Sequence, residues 1–207
     1  IGIFLRKKIS VLNPLLVSII FVIAVIKIFH IDYETYNSGA KYISYLLTPA
    51  TVCLAIPLYR QISVLKEHAK EVFIGILAGV LASMGSILLM SYLFGLTHEQ
   101  YVTLLPKSIT TAIGMGVSEE LGGIQTITVA VIIITGVLGN IIAEAVLKIF
   151  RIKEPVAKGL AIGTASHAIG TTKALEIGEI EGAMSSLSVA VAGLMTVISA
   201  SIFANMM

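Results

Sequence analysis

Two stretches of the sequence place hydroxyl groups, glycines and a cation inside an otherwise apolar chain. Residues 105–114 read LPKSITTAIG, and residues 163–173 read GTASHAIGTTK. Hydroxyls and the free backbone N–H groups at a helix start donate hydrogen bonds, and together with a cation they favour an anion. We therefore expect the two stretches to form one binding site for a small carboxylate.

The residues expected to contact the substrate carry a hydroxyl, an imidazole or an ammonium group, or are glycines that leave backbone N–H groups accessible. They are Ser108, Thr110, Thr111 and Gly114 in the first stretch, and Thr164, Ser166, His167, Gly170, Thr171 and Lys173 in the second. One cation, such as His167 or Lys173, would balance the charge of a monocarboxylate.

Several polar residues of the two stretches also have a purely structural interpretation. Lys107 would extend to the outer membrane surface, and His167 would be neutral and bonded to a neighbouring carbonyl. Lys173 would pair with Glu176, one helical turn away. The threonine hydroxyls would bond to carbonyls of the preceding helical turn. Both interpretations are open at the level of sequence.

Other polar residues are weaker candidates for a function. Glu119 and Glu120 are expected to be solvated at the outer surface. Asn140 and Glu144 lie four residues apart on one helix face, where they would either line a path or cap a neighbouring helix.

The residues needed for enzymatic chemistry are absent from the sequence. Ser166 and His167 are adjacent, hence about 100° apart on a helix, and cannot act as nucleophile and base in the usual geometry. There is no His-Glu-x-x-His motif, Asp32 is the only aspartate, and Cys53 is the only cysteine. We therefore expect no enzyme, no catalytic residue, no metal site and no cofactor.

The elements that position the two stretches must be membrane helices. Of 207 residues, 57% are apolar and 13% are charged, against about 25% charged in a soluble domain. Apolar runs of membrane-spanning length occupy residues 72–96, 124–143 and 183–207. A formal net charge of +2 gives no reason to expect nucleic acid. The composition predicts a polytopic membrane protein.

The N-terminal half contains two further apolar segments. Asn13 is a plausible N-cap, with Pro14 at the first helical position, and the apolar run that follows extends to Phe29. Residues 42–58 are apolar but contain Pro49 and Pro57, which predicts a kinked or broken span. The chain begins immediately before a basic triplet, which reads as the end of a truncated helix. We expect an upstream membrane segment.

The two polar stretches resemble each other. The triplet AIG at 112–114 recurs at 168–170, and Glu-x-Gly at 120–122 recurs at 176–178, both at an offset of 56 (168 − 112 = 176 − 120). Each stretch precedes an apolar helix. We therefore expect one membrane domain over 1–207, with N-terminal helices in 1–103 and two repeated units at 104–150 and 157–207.

The distribution of lysine and arginine predicts the orientation of the segments. Short cytoplasmic loops collect basic residues, and these cluster at 6–8, 59–71 and 148–158. The loops at 31–41 and 97–103 carry one between them, so we place them outside. Residues 104–123 would then form a re-entrant hairpin that enters from outside, and residues 157–182 one that enters from inside. The alternative is a pair of unwound helices that cross the membrane.

The expected fold is therefore an all-α polytopic membrane protein with about five to six spanning helices and two broken, re-entrant hairpins in an inverted repeat. Secondary carriers share this arrangement, and their sites lie near the bilayer midplane. Irregular backbone survives at membrane depth only where it is buried in protein or lines a watery cavity.

Sequence motifs in both stretches resemble those of the LrgB/CidB family of bacterial membrane proteins, which also resembles half of the plastidial glycolate/glycerate transporter of plants. The most specific is GLAIGTASHAIGT at 159–171. The others are LPKSITT at 105–111, SEELGG at 118–123, NPLL at 13–16 and PATV at 49–52.

The sequence departs from the family pattern in the first stretch. The family usually continues its Thr-Thr pair with Pro-Ile-Ala and a later glutamate, whereas Ala112, Ile113, Gly114 and Gly116 stand here. Details of the substrate therefore do not carry over.

The resemblance implies two different functions in the bacterial cytoplasmic membrane. One is an antiholin-like regulator that, with a smaller holin-like protein (LrgA or CidA), influences murein hydrolase export and autolysis. The other is transport of pyruvate and related carboxylates such as glycolate and lactate. The residue chemistry favours a secondary carrier that works by alternating access, with proton coupling. We expect the small holin-like subunit, membrane lipid and further copies of the chain as partners. A passive channel is a third possibility.

Overall fold

The computed structural model describes residues 14–46, 49, 53, 55–60 and 62–207. These residues form helices joined by short turns, with no strand among them. The chain divides into two units, residues 1–53 and 54–207. The expected N-cap Asn13, the basic triplet at 6–8 and part of the expected broken span at 42–58 (residues 47, 48, 50–52 and 54) lie outside the described residues.

The first unit contains two described helices, α1 (Pro14–Ile28) and α2 (Tyr33–Ser44). Asp32 caps α2, because its carboxylate accepts hydrogen bonds from the Thr35 hydroxyl at 2.6 Å and the Thr35 N–H at 2.8 Å. These bonds lower the pKa of the Asp32 carboxyl. The polar segment 31–41, expected to be a loop, is therefore largely helical.

The second unit contains eight described helices, numbered on from the first unit. They are α3 (Ala55–Arg60), α4 (Ile62–Glu67), α5 (Ala69–Phe94), α6 (His98–Leu104), α7 (Thr111–Glu120), α8 (Gln125–Ile149), α9 (Pro155–Ile177) and α10 (Glu179–Ala204).

Three of the described helices, α5, α8 and α10, are long and apolar enough to cross a membrane, and α1 includes a shorter apolar stretch, Val17–Ile28. Many of their large apolar side chains are exposed, Phe94 and Ile149 among them, as expected for helices that face lipid. The structure thus confirms an all-helical protein with candidate membrane spans, while the total of five to six spans stays a prediction.

Two segments expected to be loops are helical. Residues 59–71 include α4 and the start of α5. In the 97–103 segment, Thr97 and Gln100 form a capping box: the Thr97 hydroxyl accepts from the Gln100 N–H, and the Gln100 side chain accepts from the Thr97 N–H. This cap stabilises the short helix α6.

Glycines allow α9 and α10 to pack closely. A side chain at Gly159 would collide with the carbonyl of Glu181, and one at Gly163 would collide with the backbone of Ser185. Close approach of two backbones through small residues is the usual way that helices associate without a hydrophobic driving force. The close packing fixes the first half of α9 against α10.

Candidate functional site

The two ends of the first hairpin, residues 104–123, lie together beside the N-terminal end of α8. The Ile124 N–H donates to the Thr103 hydroxyl at 2.8 Å. The Thr128 hydroxyl donates to the Thr103 carbonyl at 2.9 Å and to the Ser118 hydroxyl at 2.7 Å. Residues before and after the hairpin therefore meet at the N-terminal end of α8.

The tip of the first hairpin lies between α6 and α7 and reaches the middle of α5. The Lys107 ammonium donates to the Ser108 hydroxyl at 2.9 Å and to the Ser83 hydroxyl of α5 at 3.3 Å. The two serine hydroxyls are 3.0 Å apart. Lys107 therefore points towards the interior of the unit, and the interpretation that it extends to the outer surface is not the geometry observed.

The second hairpin is α9 itself, broken at His167, whose backbone has φ 43° and ψ −146°. Its first arm is residues 155–166 and its second arm is residues 168–177. Lys158 and Ile177, from opposite ends of the hairpin, line one groove together with Lys148 of α8. Both ends thus lie beside the C-terminal end of α8, opposite to the end where the first hairpin starts.

The tips of the two hairpins meet near the middle of the long helices. Thr164 packs against Gly79 of α5, and His167 packs against Gly136 of α8, because a side chain at either glycine would contact them. Ser108 and Thr164 line one small cavity between the tips. Two broken segments that start at opposite ends therefore converge on one region.

A larger cavity of about 730 Å³ leads to this region between α5 and the first arm of α9. One end of the cavity is polar, and its walls carry mostly small side chains. The end next to the hairpin tips, here called the deep end, is lined by Ser83, Lys107, Ser108, Thr164 and the exposed Ser86, and the walls by Gly75, Gly79, Ala82, Ala157, Leu160, Ala161 and Ala165. The other end is lined by His68, Glu71, Glu154 and Val156.

The deep end of the cavity has unbalanced charge and an unused hydroxyl. Within the part of the chain that the structure describes, no carboxylate lies within ion-pair distance of Lys107. The Thr164 side-chain oxygen is buried and has no hydrogen-bond partner among those residues. Buried polar groups are normally satisfied, so a ligand that accepts and donates hydrogen bonds here would complete the site.

Of the residues expected to contact the substrate, Ser108 and Thr164 line the cavity. Thr110 and Thr111 lie at the start of α7. Gly114 permits close packing against Ile132 of α8.

The remaining expected residues lie around the second hairpin. Ser166 is buried against Gly139 and Gly170, either of which would collide with it if it carried a side chain. The Thr171 hydroxyl donates to the His167 carbonyl at 3.0 Å and contacts the Ser185 hydroxyl at 2.9 Å. These residues stabilise the break, and their contact with a substrate stays a prediction.

His167 is buried, and its Nε2 lies 2.9 Å from the Ile132 carbonyl. This contact is a hydrogen bond when Nε2 carries the proton. The geometry agrees with the structural interpretation of a histidine bonded to a neighbouring carbonyl. His167 is not one of the described residues that line the large cavity.

Polar side chains of α8 hold the second arm of α9. The Asn140 amide donates to the Ile169 carbonyl at 3.1 Å and to the Thr172 hydroxyl at 2.9 Å. Lys173 pairs with Glu144 at 2.6 Å and with Glu176 at 3.2 Å. The charge of Lys173 is thus already balanced, in agreement with its structural interpretation.

Sequence reasoning missed the contribution of α5. Its small residues Gly75, Gly79, Ser83 and Ser86 follow a spacing of three to four, which places them on one helix face. That spacing was the available signal, but a stripe of small residues also occurs in ordinary helix packing. Lys107 was identified as polar, but its placement beside Ser83 depends on a contact 24 residues away.

Comparison with known proteins identifies the family. The LrgB-like family model matches residues 1–206. Proteins named "Antiholin-like protein LrgB" from Bacillus mycoides (strain KBAB4) and Bacillus cereus (strain B4264) are each 38% identical over 192 residues, covering 93% of this chain and 84% of theirs. No solved structure matches the chain. With the family model covering nearly every residue and these relatives most of the chain, the protein belongs to the LrgB-like family.

Proposed function

We propose that this protein is a secondary carrier of small monocarboxylates of the pyruvate, glycolate and lactate class, which works by alternating access in the bacterial cytoplasmic membrane. The observation that carries the proposal is the deep end of the large cavity. There, Lys107 lies among the hydroxyls of Ser83, Ser108 and Thr164 without a described carboxylate to balance its charge.

The arrangement of donors suits an anion with one carboxylate. The carboxylate would bind the Lys107 ammonium and the two serine hydroxyls, because charge-assisted hydrogen bonds are the stronger ones. The Thr164 hydroxyl would bond to a keto or hydroxyl oxygen beside the carboxylate. A single cation gives no compensation for a second carboxylate, so the site favours monocarboxylates over dicarboxylates.

The helix bounds support an inverted repeat of units 104–150 and 157–207. An offset of 56 moves α7 onto residues 167–176 (111 + 56 and 120 + 56), which nearly coincide with the second arm of α9. The same offset moves α8 onto 181–205, close to α10. The hairpins approach from opposite ends, as alternating access around a central site requires.

The basic residues of the second unit indicate which side of the membrane the large cavity opens to. They cluster in the 59–71 and 148–158 segments. His68 and Glu71, within the basic 59–71 segment, line the large cavity together with Glu154, within the basic 148–158 segment. The large cavity therefore opens towards the end assigned to the cytoplasm by charge. A small holin-like subunit, proton coupling and homo-oligomerisation belong to this proposal as further expectations.

A second candidate function is regulation of murein hydrolase export and autolysis. It is favoured by the name that the relatives carry, antiholin-like protein. This function does not require a central anion site, so the two candidates make different predictions for the same variants.

The deciding experiment is uptake of labelled pyruvate into proteoliposomes, with and without the small subunit, under an imposed proton gradient. We expect saturable uptake that glycolate and lactate compete for. The variants Lys107→Gln and Thr164→Val, which change residues that line the cavity, are expected to lose uptake at unchanged membrane levels, and Lys70→Ala serves as a control outside the site. Absence of uptake by folded protein under every gradient would favour the regulatory function, as would an autolysis phenotype that persists in the variants. Flux without saturation or counterflow would indicate a channel.

A further inference from the structure

A second concave surface lies at the C-terminal end of α8, apart from the large cavity. This basic groove has a volume of about 560 Å³. Four of its lining residues are cations, Lys148, Arg151, Lys153 and Lys158, and its apolar lining consists of Leu147, Ile152 and Ile177. Glu144 also lines the groove.

The charges of the basic groove are only partly balanced within the described residues. Glu144 is paired with Lys173 at 2.6 Å, and Lys158 lies 3.7 Å from Glu181. No described carboxylate lies within ion-pair distance of the other three cations of the groove. The groove therefore presents net positive charge to whatever occupies it.

The backbone at Arg151 has a conformation that glycine usually provides. Arg151 has φ 54° and occupies the left-handed position that ends α8, where its N–H donates to the Lys148 carbonyl at 3.1 Å. The following N–H, of Ile152, donates to the Leu147 carbonyl at 2.9 Å. Glycine is the usual residue at this position of a helix-ending turn. An arginine at this position therefore carries a backbone cost that a glycine would not carry.

The surroundings of the groove are apolar and face outward. Ile149 is 73% exposed and Phe150 is 72% exposed, and both lie between the cations Lys148 and Arg151 in the chain. Exposed large apolar side chains beside cations are typical of the boundary between hydrocarbon and headgroups. A soluble phosphate compound would gain nothing from them.

We propose that the basic groove binds the phosphate headgroup of an anionic phospholipid, with the acyl chains lying along the apolar side chains of Ile149 and Phe150. Basic pockets between membrane helices bind anionic headgroups through the same combination of charge and apolar contact. This lipid site is separate from the carrier site and does not depend on the proposed function.

The test is lipid retention by the purified full chain in native mass spectrometry. Phosphatidylglycerol and phosphatidylcholine with identical acyl chains are added in equal amounts, and adducts are counted. We expect preferential retention of phosphatidylglycerol. Arg151→Gly should lower this retention about fivefold, and Lys148→Ala with Lys153→Ala by more, since each cation near an anionic headgroup contributes a factor of about that size.

Two controls separate lipid binding from other effects. Arg151→Gly favours the left-handed backbone, so its thermal unfolding should be unchanged or shifted upward, which excludes misfolding as the cause of the loss. Lys70→Ala removes an exposed cation at the start of α5, outside the groove, and should leave retention unchanged.

Three results would overturn the proposal. The first is equal retention of the two lipids by the unmodified chain. The second is wild-type retention of phosphatidylglycerol by the groove variants. The third is displacement of the lipid by glycerol phosphate, which would make the groove a site for a soluble phosphate compound.

Discussion

The two hairpins reach the same central region but are attached to the rest of the second unit in different ways. The first is closed by hydroxyl groups of Thr103, Ser118 and Thr128, which are 2%, 0% and 0% exposed. The second arm of α9 shares one buried bond with α10, between the Thr171 and Ser185 hydroxyls, but it is held to α8 by Asn140 and by the ion pair of Lys173 with Glu144, whose side chain is 51% exposed.

This difference distinguishes a fixed hairpin from a releasable one. Breaking the buried hydroxyl bonds would leave polar groups unsatisfied away from water, whereas water can replace an exposed ion pair at little cost. In the proposed carrier, we therefore expect the second arm of α9 to separate from α8 during alternating access, while the first hairpin holds Lys107 in place.

The largest effect is expected from removing the charge at the tip of the first hairpin. Lys107→Gln should lower the uptake efficiency for pyruvate about 100-fold, since two charge-assisted bonds to the substrate contribute about 3 kcal/mol. The matched variant Lys173→Gln, on the second hairpin, should change it less than about threefold because its charge is already balanced. Initial rates in proteoliposomes measure both, and equal losses would contradict the assignment of the carboxylate site to Lys107.

The next effect concerns the buried attachment of the first hairpin. Thr128→Val keeps the side-chain shape but removes the donor to Thr103 and Ser118, so it should lower the free energy of unfolding by about 2 kcal/mol. Thermal unfolding in detergent gives the value. Thr172→Val, on the second hairpin, is the counterpart and should cost less than half as much, because its hydroxyl is exposed. A larger loss for Thr172→Val would reverse the comparison.

A smaller effect tests the break in the second hairpin. His167 has φ 43° and ψ −146°, a conformation that is essentially restricted to glycine and costs at least about 1 kcal/mol for a residue with a side chain. His167→Gly and His167→Ala both lose the bond to Ile132, but only the glycine variant relieves the backbone. We expect Gly to be the more stable variant by about 1 kcal/mol in the same unfolding assay. Greater stability of the alanine variant would show that the break is not maintained there.

The smallest effect on stability is expected from the exposed ion pair. Glu144→Gln should lower the free energy of unfolding by less than about 1 kcal/mol. Its local effect should be clear: backbone amides of residues 168–177 should exchange hydrogen faster, while those of α7 are unchanged. Uniform exchange in both hairpins would argue against a releasable second arm.

Much of the helical framework could be predicted from the sequence, because long apolar runs and glycine-rich breaks are local signals. The long helices α5, α8 and α10 fall on the expected runs. Helix α6 was not predicted, because the polarity of residues 97–103 indicated a loop. Its capping residues, Thr97 and Gln100, were nevertheless a local signal for a helix start.

The candidate site was less accessible to sequence reasoning. Both threonine-rich stretches were expected to contribute, and Ser108 and Thr164 do line the cavity. The sequence could not decide whether Lys107 points inward or outward, or whether His167 meets a ligand or a carbonyl. Those outcomes depend on Ser83 and on Ile132, which other helices bring into contact.

Two glycines, Gly75 and Gly79, form part of the cavity wall on α5. Gly75 and Gly79 pack directly against Leu160 and Thr164, and all four residues line the cavity, so a single substitution at either glycine can change its shape. Gly79→Ala would displace Thr164 and narrow the cavity, and the resulting loss of uptake should grow with the length of the carboxylic acid. In the proposed carrier, a substitution at Gly79 would therefore change the size of acid that is accepted without altering Lys107, which binds the carboxylate.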